Sequence, residues 1–85
     1  MNALDQKTTH SILKEINALL EQGILPIHND HLIRLAEDGN ILECLIFLKD
    51  QGLISGDLIR IGVDGRPHRM TNIRLTYIGL RALRM

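Results

Sequence analysis

The sequence predicts one α+β domain in which helices come first, a β-hairpin follows and a short helix closes the chain. Three observations predict it. Apolar residues repeat with a helical period over residues 8–22 and, in shorter stretches, over residues 31–37 and 41–51. Over residues 58–63 the period changes to two, and Asp64-Gly65, a hairpin-turn dipeptide, follows at once. Past the hairpin, Thr76 precedes a last segment with apolar Leu80 and Leu83, where a helix cap belongs. The 85 residues fit a single domain with residues 1–7 as a flexible lead. A chain of this size buries roughly 60–65% of its unfolded surface, enough for one modest core without disulfides or metal.

Each element has its own justification. In residues 8–22, Ile12, Leu13, Ile16, Leu19 and Leu20 line one helical face, Thr8 or Thr9 can cap the start, and Gly23 suits a left-handed C-terminal residue. Residues 24–27 read as extended, because Pro26 disfavours helix at Leu25. Asn29 or Asp30 can cap a second helix over residues 31–37, with Leu32, Leu35 and Ala36 inward, and Asp38-Gly39 makes a turn. Asn40 can cap a third helix over residues 41–51, stopped by Gly52. Two short helices around a tight glycine turn form a helix-turn-helix pattern. The third helix is apolar around nearly its whole circumference, which predicts burial on several sides. In the first strand Ile59, Ile61 and Val63 fall on one face, expected inward, and Arg60 on the other. Leu53-Ile54 can start that strand, with Ser55-Gly56-Asp57 as a bulge or small turn. Arg66-Pro67-His68-Arg69 is expected at the hairpin tip. Residues 72–75 return, with Ile73 and Leu75 inward and Arg74 outward. Leu80 and Leu83 should pack the last helix on the first, and Arg81 and Arg84 near its C-terminus suit the helix dipole.

Composition narrows the function. Phe47 and Tyr77 are the only aromatic residues, too few for the base-stacking platforms that bind single strands. Cys44 is the only cysteine, which excludes an intramolecular disulfide, and its apolar neighbours predict a buried, inert thiol. The first residues hold no signal-peptide core and no apolar run is long enough to span a bilayer; the expectation is a cytoplasmic protein without a membrane partner. The net charge of zero hides an asymmetry. Residues 1–52 carry four basic and eight acidic side chains, whereas residues 53–85 carry six arginines and two aspartates. Arginine favours planar, bidentate contact with phosphate or guanine.

Gly52-Leu53-Ile54, Asp64-Gly65-Arg66-Pro67-His68 and Arg74-Leu75-Thr76-Tyr77-Ile78-Gly79 carry a resemblance. The chain from about Thr8 onward resembles small winged-helix proteins of bacteria and phages, of the YjcQ type. In that superfamily a G-L-I follows the third helix, an Asp-Gly turn forms the wing, and L-T-x-x-G opens the final helix. The resemblance implies a winged helix-turn-helix fold: three helices, a two- or three-stranded wing and a short C-terminal helix. It also implies DNA binding in a small transcriptional regulator, often as a homodimer.

The candidate DNA-binding residues follow from the charge pattern. Arg66, His68 and Arg69 are expected at the wing tip, with Arg60 and Arg74 outward on its strands, where they can reach phosphates or a minor groove of double-stranded DNA. Asn40 and Lys49 are the candidate contacts on the third helix. Glu43, on the polar side of that helix, would repel phosphates. The other reading is therefore a protein-interaction module with little DNA affinity, its partner meeting the 41–51 helix. His28-Asn29-Asp30-His31 has the spacing of a short metal motif, but structural zinc usually needs four ligands; helix capping with the histidines exposed is the expected role, with no metal or cofactor. No nucleophile–base set or glycine-rich phosphate loop points to an enzyme.

Overall fold

A computed structural model describes residues 6–36 and 40–84. Helix α1 (Gln6–Glu21) is followed by a 3-10 helix (Asn29–Leu35), helix α2 (Ile41–Asp50), strand β1 (Ile54–Ile61), strand β2 (Arg66–Leu75) and helix α3 (Tyr77–Arg84). The strands pair antiparallel as a two-stranded sheet. The architecture is α+β, with the helices packed at the base of the hairpin.

Helices α1 and α2 end in the same way. Gly23 and Gly52 adopt φ of 81° and 77°. Gly23 N–H donates to Leu20 O and Ile24 N–H to Leu19 O; Gly52 N–H donates to Lys49 O and Leu53 N–H to Leu48 O, all at 3.0 Å. This is the paired bonding of a Schellman motif, which a left-handed glycine permits. The helix starts depart from expectation. Thr8 and Thr9 lie inside α1 rather than before it. Asn40 makes no side-chain capping bond; only its carbonyl serves α2, accepting Cys44 N–H at 3.2 Å.

The core joins one face of α1 to the inner side of α2 and the hairpin base. Ile12, Leu13, Ile16 and Leu19 of α1 meet Ile41, Cys44, Leu45 and Leu48 of α2, with Ile27, Leu32, Ile54, Met70 and Ile73 completing the cluster. Burial raises the Cys44 thiol above its usual range; the nearby Glu43 carboxylate adds to this and a backbone hydrogen bond opposes it. The thiol is thus held neutral and unreactive.

The second helix is 3-10 rather than α, and it begins at Asn29. Its start rests on two histidines, not on Asn29 or Asp30. His28 N–H donates to His31 Nδ1 at 3.0 Å, and His31 N–H to His28 O at 3.0 Å. The side chain expected to cap the helix is used elsewhere: the buried Asn29 Oδ1 accepts Met70 N–H at 3.0 Å. Next to it, Thr71 Oγ1 and His28 Nδ1 lie 2.6 Å apart. The histidines are half-buried and stacked, 5.6 Å between ring centroids, and so work at a joint instead of standing exposed. Residues 24–27 form no strand, yet Ile27 O accepts Ile73 N–H at 3.1 Å. Residues 27–29 thereby cover the outer edge of β2, where unpaired backbone groups would otherwise face a neighbour. Glu37 and the Asp38-Gly39 turn lie outside the described residues.

Replacing Asn29 with Ala should therefore cost about 1–3 kcal/mol, because a buried N–H of β2 loses its acceptor. Urea unfolding measures it. Asp30→Ala, an exposed neighbour, should change little, and equal effects of the two would contradict this role.

Helix α3 is fixed at its first turn. Thr76 Oγ1 accepts Gly79 N–H at 3.0 Å, the expected cap, and donates to Gly52 O at 2.5 Å. Thr76 N–H donates to Leu53 O at 3.2 Å. One threonine thus caps α3 and ties it to the corner after α2. Ala82 and Leu83 pack against the core, and Leu80 is half-buried.

Candidate nucleic-acid interface

The pairing register decides which hairpin side chains share a face. Ile54 pairs with Leu75, Ser55 with Arg74, Asp57 with Thr71, Leu58 with Met70, Ile59 with Arg69, Arg60 with Pro67 and Ile61 with Arg66. Side chains of directly paired residues lie on the same face, and faces alternate along each strand. Ile54 and Met70 are buried and Leu58 packs on the core, so even-numbered residues of β1 face inward. Ile59 and Ile61 are then outward, 40% and 51% exposed. This reverses the expected inward face of Ile59, Ile61 and Val63. Apolar side chains occupy both parities of Leu58-Ile59-Arg60-Ile61, and the parity that continues Ile54 and faces Met70 wins. Val63 lies in the turn, residues 62–65, and is fully exposed.

Two bulges align the arginines. The register shifts between Ser55 and Asp57 and again between Ile59 and Arg60. Each shift places an extra residue in β2: Asn72, whose φ is 55°, and His68. Spacings of three and five residues would put Arg69 on the opposite face from Arg66 and Arg74 in a regular strand. An added residue in each interval restores the parity, so Arg66, Arg69 and Arg74 all face outward, opposite Ile61, Ile59 and Ser55. Re-aiming side chains is what bulges do. At about 3.4 Å per residue of β1, the three arginines span roughly 20 Å. The proline at position 67 was the available sequence signal, because Pro inside a sheet is confined to edges, strand starts and bulges; nothing comparable marks Asn72 beyond its tolerance of positive φ.

The remaining sites fall as follows. The tip is not Arg66-Pro67-His68-Arg69, which begins β2; residues 62–65 form it. Arg66 Nε donates to Asp64 Oδ2 at 2.7 Å while its side chain stays 82% exposed. Arg60, expected outward, has the parity of Leu58 and so lies on the other face of the hairpin from Arg66, Arg69 and Arg74; its Nη1 donates to Gly65 O at 3.0 Å, bracing the turn. Asn72 Nδ2 donates to Asp57 Oδ2 at 2.7 Å. Among the described residues no ion pair engages Arg69 or Arg74. His68 is exposed. Asn40 and Lys49 are exposed at opposite ends of α2, away from the arginine row in sequence, and between them stands Glu43, with Asp50 beyond. Among the described residues no group of three His, Cys, Asp or Glu side chains could hold a metal ion, and no helix is long and apolar enough to cross a membrane.

The chain matches no protein-family model, no curated protein and no solved structure. The functional reading therefore rests on this geometry.

Proposed function

We infer that the protein is a winged-helix domain that binds double-stranded DNA through its hairpin, with little sequence preference. The observation that carries this reading is the row of Arg66, Arg69 and Arg74 on the outward face of the hairpin, Arg66 and Arg74 exposed and Arg69 half-buried. Three guanidiniums over roughly 20 Å can each reach a phosphate, and such contacts supply affinity without base reading. His68, exposed at a bulge of β2, adds to the same hairpin, whereas Arg60 lies on its other face and braces the turn. Helix α2 is a poor reader of bases, because Glu43 and Asp50 on its solvent side repel phosphates more than Lys49 attracts them. A regulator of this kind would hold the duplex by its wing, with Asn40 and Lys49 contributing at most marginally.

Fluorescence anisotropy on a labelled duplex of random sequence tests this. Neutralising three phosphates gives a log–log salt slope near about −3. Arg69→Ala/Arg74→Ala should weaken binding and bring that slope to about −1. An absence of binding at low salt, or a double variant that binds as tightly as the wild type, would refute it. The second reading, a protein-interaction module, is favoured by the outer side of α2, where two carboxylates flank Ile46 and Phe47.

A further inference from the structure

The outer side of α2 has a defined composition. Glu43, Ile46, Phe47 and Asp50 follow at i, i+3, i+4 and i+7, one stripe of the helix. They line a shallow cleft of about 190 Å³. Ile46 and Phe47 are half-buried, packed on the core from beneath, and both carboxylate residues are exposed. Among the described residues the ion pairs are Arg34–Glu15 and Arg66–Asp64, and none engages Glu43 or Asp50. Lys49 lies on the neighbouring row and leaves this side acidic.

The outer face of the hairpin is its counterpart. Ile59 and Ile61, an apolar pair, lie beside Arg69 and Arg66 by the strand register; Arg66 also pairs with Asp64 of its own turn while staying largely exposed, and no ion pair among the described residues engages Arg69. Two half-exposed isoleucines are unusual on the free face of a projecting hairpin, where polar side chains would keep it soluble. Two carboxylates around an apolar cleft face two guanidiniums beside two apolar side chains. The molecule carries both halves of a complementary contact and no net charge to drive copies apart.

We propose that the outer face of the hairpin docks on the outer side of α2 of a second copy of this chain. In a two-fold arrangement each copy offers its hairpin to the other's α2, so the contact forms twice and the interface closes. Ile59 and Ile61 meet the cleft over Ile46 and Phe47; Arg66 and Arg69 meet Glu43 and Asp50. The contact is small and rimmed with charge, so it forms at micromolar to millimolar concentration and weakens with salt. It does not depend on the DNA reading, because it is measured with protein alone. Arg66 and Arg69 serve both surfaces, so a second copy and a duplex would compete for them.

Charge exchange tests the pairing by analytical ultracentrifugation at up to about 1 mM protein, the weak end of specific association. The wild type should form dimers that dissociate as salt is raised. Glu43→Arg/Asp50→Arg and Arg66→Glu/Arg69→Glu should each be monomeric, since each variant opposes like charges. An equimolar mixture of the two should recover the dimer, because every contact is again between opposite charges; a misfolded variant could not give that recovery. The near-isosteric Glu43→Gln/Asp50→Asn should weaken wild-type association about tenfold or more. A wild type that stays monomeric, single variants that associate as the wild type does, or a mixture that fails to recover would each overturn the proposal.

Discussion

Replacing Gly79 with Ala should destabilise the protein by at least about 3 kcal/mol, beyond the usual cost of an inserted methyl group. In a helix the same change normally gains about 1 kcal/mol, because glycine loses more backbone freedom on folding than alanine. The sign reverses here for a steric reason. A Cβ on Gly79 would lie 1.9 Å from Leu53 O and 3.0 Å from Leu53 C. Those atoms are backbone, and Leu53 O already accepts Thr76 N–H. No side chain can turn aside, so α3 must lift from the corner after α2. Lifting it strains the hydroxyl of Thr76, which joins Gly79 N–H to Gly52 O. For a domain of this size the loss amounts to a drop in Tm on the order of 15 °C, read by thermal unfolding followed by circular dichroism. A Gly79→Ala variant as stable as the wild type would mean that α3 does not sit this close to Leu53.

This close approach also explains why part of the architecture was legible in the sequence. In Leu75-Thr76-Tyr77-Ile78-Gly79 the threonine caps and the glycine lets the helix reach the preceding corner, so the motif is the docking geometry written in residues. Gly23 and Gly52 were legible for a similar reason, since each stands where a helix needs a left-handed residue. The second helix was harder. Asn29 looks like a cap, but its acceptor is taken by Met70 N–H, a bond across 41 residues that no local pattern reveals. The hairpin faces failed for a different reason. A strand apolar on both parities has no preferred face until its partner is known, and the partner's bulges at His68 and Asn72 shift the register twice. The arginines of the candidate site were visible as residue types; their alignment was not, because it depends on those two extra residues.

Helix α2 poses the same difficulty in another form, and a pair of truncations resolves it. Leu45→Ala should cost about 2–5 kcal/mol, the range for removing a large aliphatic side chain from a closed core. Leu45 is fully buried, on the side of α2 that packs with Ile41 and Leu48 into the main cluster. Ile46 is its neighbour in sequence, equally apolar, and indistinguishable from it by composition. Ile46 rests on the core from outside and is half-buried, so Ile46→Ala should cost about half as much or less when measured in dilute solution. The comparison becomes sharper with concentration. If α2 meets a second copy, the wild type gains stability as protein concentration rises, by mass action. Ile46→Ala should lose much of that gain, while Leu45→Ala should lower the whole curve and keep the gain. Urea unfolding at two concentrations, at the low and high ends of the association range, separates the effects. Equal costs for Leu45→Ala and Ile46→Ala in dilute solution would show that both sides of α2 are core, and would leave no outer side for a duplex or a second copy to meet.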